Sequence, residues 1–152
     1  MFDEGKIIYF TPFYFKNGMP AKNKFFVVLK NLKNKSIIAA LPTSKDSIPV
    51  QYTITSGCAC IEHPEINFNC FTFCTDIEVT DCGKKFEQPT FVYGYQVDDY
   101  EIETLFSHYQ NEGLDYFIWG QMRSDIFGQL IDCLKTSKTL KRKYKRKLNL
   151  EL

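Results

Sequence analysis

KNKFFVVLKNLKNKSIIAALPTSKDSIP, residues 22–49, decides how this chain is read. Phe25–Leu29 and Ser36–Leu41 are apolar runs rich in β-branched and aromatic residues. Between them, Lys30-Asn31-Leu32-Lys33-Asn34-Lys35 has the composition of an exposed hairpin loop. Two such runs so joined predict an antiparallel hairpin. Antiparallel pairing sets the start of one strand beside the end of the next, so Lys24 and Thr43, with Ser44, are expected at the same end of the pair.

Working outward, KIIYFTPFYF (6–15) predicts a first strand that ends near Thr11, where Pro12 interrupts it, followed by a loop through Asn17-Gly18-Met19-Pro20. Ile48–Thr55, Phe68–Phe73 and Asp76–Thr80 read as further strands, with a turn at Cys82-Gly83-Lys84-Lys85. Pro89–Val97 closes the β-rich portion. The period then changes. Tyr100, Leu105 and Tyr109 suggest a short helix before Gly113. Residues 124–135 carry Phe127, Leu130, Ile131 and Leu134 at helical spacing behind Ser124 as a cap. Beyond Ser137, which suits the cap of a final turn or helix, Leu140, Tyr144 and Leu148 fall four residues apart among lysines. Many short strands followed by helices predict an α+β chain, mainly β with C-terminal helices: a small barrel rather than a parallel βαβ sheet. Residues 1–135 form the expected domain and 136–152 a basic C-terminal helix or tail.

The 152 residues, 44% hydrophobic and 16% aromatic, suffice for one well-packed domain. No apolar run reaches the ~18 to 20 residues of a membrane span, and Met1–Lys6 lacks the basic start and apolar core of a signal peptide, so a cytoplasmic protein without a membrane is expected. On that reading the six cysteines are free thiols acting as small buried hydrophobes. A zinc site from Cys58, Cys60, His63, Cys70 and Cys74 is the sharper alternative, but C-x-C followed by C-x3-C departs from the common paired zinc spacing, and no metal or other cofactor is expected.

The formal net charge of +1 hides an asymmetry. Residues 135–147 hold eight Lys or Arg and no acid, whereas the chain before them is near −6. Such a segment suits phosphates or an acidic partner, or simply the solvated end of a helix. Common catalytic signatures are missing: there is no G-x-S-x-G, Walker loop, G-x-G-x-x-G or H-E-x-x-H. The two histidines, His63 before Pro64 and His108 on the polar side of a helix, read as surface residues.

The order of these features is more specific than any one of them. Gly5-Lys6-Ile7-Ile8-Tyr9-Phe10, then Lys24-Phe25-Phe26-Val27-Val28-Leu29, then Ile37-Ile38-Ala39-Ala40-Leu41-Pro42-Thr43-Ser44 resembles the MazF/Kid/PemK family of toxin endoribonucleases. Pro89-Thr90-Phe91-Val92 resembles that family's late strand, and Ile118-Trp119-Gly120-Gln121-Met122 its step into a terminal helix. The resemblance implies an SH3-like small β-barrel with one to three appended helices, a homodimer, an antitoxin partner protein, and cleavage of single-stranded RNA without metal, in which a 2'-hydroxyl attacks the adjacent phosphorus. It carries catalytic roles onto Lys24, Thr43 and Ser44, with Lys22, Lys45 and Tyr14 as RNA contacts. Those of Phe13, Tyr14 and Tyr52 that are exposed near the groove would stack on bases, while most of these aromatics are expected to fill the barrel core. A cation and hydroxyl donors gathered at one point suit the charge of a phosphorane. The family's Arg-Pro pair is Lys24-Phe25 here, and lysine is a point charge rather than a bidentate fork, which predicts weakened or absent activity. No residue type or spacing identifies a general base; Asp46 and Glu87 are carboxylates that could serve. The rival expectation is a non-catalytic small-barrel module that binds nucleic acid or a protein through the basic segment.

Overall fold

The computed structural model describes residues 2–16, 18–42, 56–63 and 66–149. Strand β2, Lys22–Leu32, and strand β3, Lys35–Ala40, form the expected hairpin, but the Asn- and Lys-rich connection is mostly strand and only Lys33-Asn34 turn the chain. Pairing runs from Leu32↔Lys35 to Phe26↔Ala40, with a bulge between Val28 and Lys30 that re-phases the ladder around Leu29. Strand β1, Lys6–Phe13, pairs with β2 and runs on through a cis Thr11–Pro12 bond instead of ending near Thr11.

Five strands make one antiparallel sheet. Strand β7, Val97–Glu101, borders β3, and strand β8, Tyr116–Gln121, borders β1, giving the order β7-β3-β2-β1-β8. Strand β4, Gly57–His63, strand β5, Ile66–Phe73, and strand β6, Thr90–Tyr93, form a second antiparallel sheet. Among the described residues the two sheets close no barrel, and the architecture is α+β. Strands β4 and β8 escape the sequence reading, which places His63 in a loop and Ile118–Gln121 in a step between elements. Conversely, Asp76–Thr80 is not a strand. Val79 N–H donates to Lys84 C=O across the Cys82-Gly83 turn, and only Thr80 bridges to Met122. The Ile48–Thr55 strand lies outside the described residues.

The hairpin is apolar without interruption because both faces of its sheet are covered. Val27, Leu29, Ile37 and Ala39 face one core, beneath helix α2, Ser124–Thr136, helix α3, Arg142–Asn149, and the second sheet. Phe26, Val28, Ile38 and Ala40 face the other, with Phe10, Phe13 and two residues from the region of helix α1, Ile102–His108: Leu105 and the following Tyr109. Phe13 is therefore core, as expected for most of the candidate stacking aromatics, and is not available to a base. Ser124 is the first residue of α2 rather than its cap; Arg123 holds the cap position and makes no side-chain capping bond.

Folding also corrects the cysteine reading. Cys58 on β4 and Cys133 on α2 lie with Cα atoms 5.5 Å apart and form a disulfide, so these two are neither free thiols nor available to zinc. Cys70, Cys74 and Cys82 are free. No group of potential metal ligands occurs among the described residues, and no helix there is long and apolar enough to cross a membrane.

The basic segment is no loose tail up to residue 149. Leu140, Tyr144 and Leu148 are buried in the larger core, as their spacing predicts. Tyr144 reaches β7, where its hydroxyl donates to Asp98 Oδ1 at 2.9 Å and accepts from the Asp99 N–H at 3.2 Å.

Candidate functional site

Lysines gather at one end of the hairpin. Lys24 pairs with Phe10, and alternation along β2 sets Lys22, Lys24 and Phe26 on one face. That face opens into a cavity of about 430 Å³, floored by Phe26, Ile38 and Ala40 and walled by Phe15, Tyr95 and Tyr100. Lys22 and Lys24 line it together with Lys16, from the connection after β1, and Lys141, from the connection before α3. Four cations against one lining carboxylate, Asp98, make its potential positive, and concave apolar walls focus such a field.

Asp98 is already engaged. Lys16 Nζ contacts Asp98 Oδ1 at 3.0 Å and Asp99 Oδ1 at 3.3 Å, and lies 4.7 Å from the centre of the Tyr100 ring. Burial works against the Lys16 charge, yet hydrogen bonds and charge from Asp98 and Asp99 outweigh it and hold the ammonium pKa above its ordinary value. Burial would likewise raise the Asp99 pKa, but Lys16, Lys143 and Lys35 together hold it below the usual carboxylate range. Burial, then the nearby Asp98 charge, pushes the Tyr100 phenol up to about 12, so that ring presents a neutral hydroxyl at neutral pH. The cavity thus offers fixed positive charge and aromatic surface, with its one carboxylate committed to a lysine and a tyrosine.

The structure brings together some of the predicted site residues and separates others. Lys22 and Lys24 share the cavity. Tyr14 does not line it: its ring, 53% exposed, sits against His108 and Tyr109, and its N–H donates to the Tyr109 hydroxyl. Glu87, the candidate base, is displaced to the opposite sheet face, where it lines a separate hollow with Phe25, Leu41 and Trp119. Thr43, Ser44, Lys45, Asp46 and Tyr52 lie outside the described residues. Up to that point the strand end is fixed, because Leu41 N–H donates to Phe25 C=O at 3.0 Å and Pro42 C=O accepts from Phe91 N–H at 2.9 Å.

Sequence reasoning misses Lys16, Tyr95, Asp98, Tyr100 and Lys141 as members of one site. They are up to 125 positions apart and carry no shared motif; Lys141 alone stood out, as part of the basic segment. Compared with protein-family models, curated proteins and solved structures, the chain matches none. Its cavity chemistry is therefore the guide to its function.

Proposed function

We propose that the chain binds single-stranded RNA in the Lys24 cavity and cleaves it in the manner of the MazF/PemK toxins it resembles. The supporting observation is that Lys24, near the head of β2, opens into a cavity lined by four lysines and four aromatic rings, a combination suited to phosphates and unpaired bases. In the reaction the 2'-oxygen attacks the adjacent phosphorus and the bond to the 5'-oxygen breaks. The 2'-hydroxyl loses a proton and the leaving oxygen gains one, so the products are a cyclic phosphate and a 5'-hydroxyl. Lys24 balances the charge gathering on the phosphorane, and Thr43 and Ser44 donate hydrogen bonds to its oxygens. On this reading the two sheets belong to an SH3-like barrel, the protein is a homodimer, and an antitoxin segment folds over the cavity.

A non-catalytic RNA-binding module is the second reading. It is favoured by the commitment of Asp98 to Lys16 and Tyr144, which leaves the cavity without a ready base among the described residues. One experiment separates the two: incubation with a long unstructured RNA in EDTA, with the product ends mapped. Cleavage to cyclic-phosphate and 5'-hydroxyl ends, falling about 100-fold or more in Lys24→Ala and Thr43→Ala and persisting in Lys24→Arg, establishes the enzyme. Intact RNA that still binds, with affinity lost in Lys24→Ala, establishes the module.

A further inference from the structure

Resting on that RNA reading, we propose that the outer face of α3 is a second RNA-backbone surface, continuous with the cavity, that holds the strand beyond the site of cleavage. Lys141 is the join. It lines the cavity, and its carbonyl accepts from the backbone N–H of Lys145 in the first turn of α3. Beyond it Arg142, Lys145 and Arg146 lie on the side of α3 opposite buried Tyr144 and Leu148. Their side chains, like that of Lys141, make no ion pair or hydrogen bond among the described residues, whereas Lys147 on the other flank pairs with Asp99.

This arrangement is unfavourable for the isolated protein. Lys141/Lys145 and Arg142/Arg146 are like-charge neighbours four residues apart, and the first turn of α3 contains no acid to complement the helix dipole. A polyanion would relieve both costs. The packing that holds the helix in place, Leu140, Tyr144 and Leu148, makes the cationic face rigid instead of a tail that must be ordered on binding. Phosphodiester rather than lipid is indicated because the apolar side of α3 is spent on the core and its outer face offers nothing to insert into a bilayer. RNA rather than an acidic protein is indicated by continuity with the aromatic-walled cavity.

The test uses the full chain, with Arg142, Lys145 and Arg146 all changed to Gln, and fluorescent oligouridylates of about four and about sixteen nucleotides. Affinity for the long RNA is expected to fall at least 10-fold and its log–log salt slope by about 2, at ~0.7 per lost phosphate contact, while affinity for the short RNA stays within about twofold. The variant's melting temperature should hold or rise, since repulsion is removed. If it falls, the charge-conserving variant Arg142→Lys, Lys145→Arg, Arg146→Lys decides: full long-RNA affinity supports the surface, and loss overturns it. Unchanged affinity and slope for the long RNA overturn the inference. So does equal, α3-dependent binding of polyglutamate or of phosphatidylserine vesicles. Failure of the parent reading looks different, because short-RNA binding would then be absent or indifferent to Lys24→Ala.

Discussion

Replacing Tyr144 by phenylalanine removes one oxygen from the joint between α3 and β7, and the structure limits what that can cost. The hydroxyl donates to Asp98 Oδ1 and accepts from the Asp99 N–H. Neither partner is orphaned by its loss, since the Asp99 N–H also reaches Asp98 Oδ1 at 2.9 Å and Asp98 keeps Lys16. What goes is chiefly the hydrogen bond to the charged Asp98, about 1.5 to 3 kcal/mol, along with the longer contacts to the Asp99 N–H and Asp99 Oδ1. The Asp98 side chain is 36% exposed, so water screens the interaction and the lower figure, about 1.5 kcal/mol, is expected. Tyr144→Ala also removes a fully buried ring and should cost about 3 to 5 kcal/mol. Burial and Asp98 push the phenol well above its ordinary pKa, so the donor persists at neutral and mildly alkaline pH. Urea unfolding followed through Trp119 fluorescence would show a lower midpoint at unchanged slope for both variants. If Tyr144→Ala stayed within about 0.5 kcal/mol of wild type, the size of an ordinary surface substitution, α3 would not be a core element and the reasoning would fail.

The Asp99 carboxylate predicts acid sensitivity. Its folded pKa lies below the unfolded value of about 3.9, so its stabilisation is complete above that value and is lost as pH falls through the folded pKa; Asp99→Asn should flatten the stability–pH curve on that acid side and lower stability at neutral pH. The Cys58–Cys133 bridge closes a loop of 75 residues, for which chain entropy gives about 4.5 kcal/mol; Cys58→Ser with Cys133→Ser should lose roughly that much in urea, and dithiothreitol should no longer shift the midpoint of that variant.

The hairpin was legible because a sheet covered on both faces demands continuous apolar runs, and 25–29 and 36–41 have them. Helix α2 was legible for a different reason: Leu130, Ile131 and Leu134 repeat at the helical period, and all three are buried. Strand β8 was not. YFIWGQ sits on the sheet edge, with most side chains only half-buried, so neither alternation nor a continuous core run marks it. Strand β4 was masked by its cysteines, whose spacing drew attention to metal, whereas Cys58 instead meets Cys133 across the fold.

By itself the sequence determined which segments must be buried, since hydrophobic period is local and survives without knowledge of neighbours: the hairpin, α2, and the Leu140–Tyr144–Leu148 stripe. It also located Lys24 at the open end of the hairpin. Only the tertiary structure decided that Lys16 and Lys141 join them, that Asp98 is engaged by Lys16 and Tyr144, and that Glu87 lies on the far side of the sheet. Those relations depend on long-range strand order and on side chains alternating across a sheet, so a contact that spans over a hundred residues leaves no periodic trace in the chain that makes it.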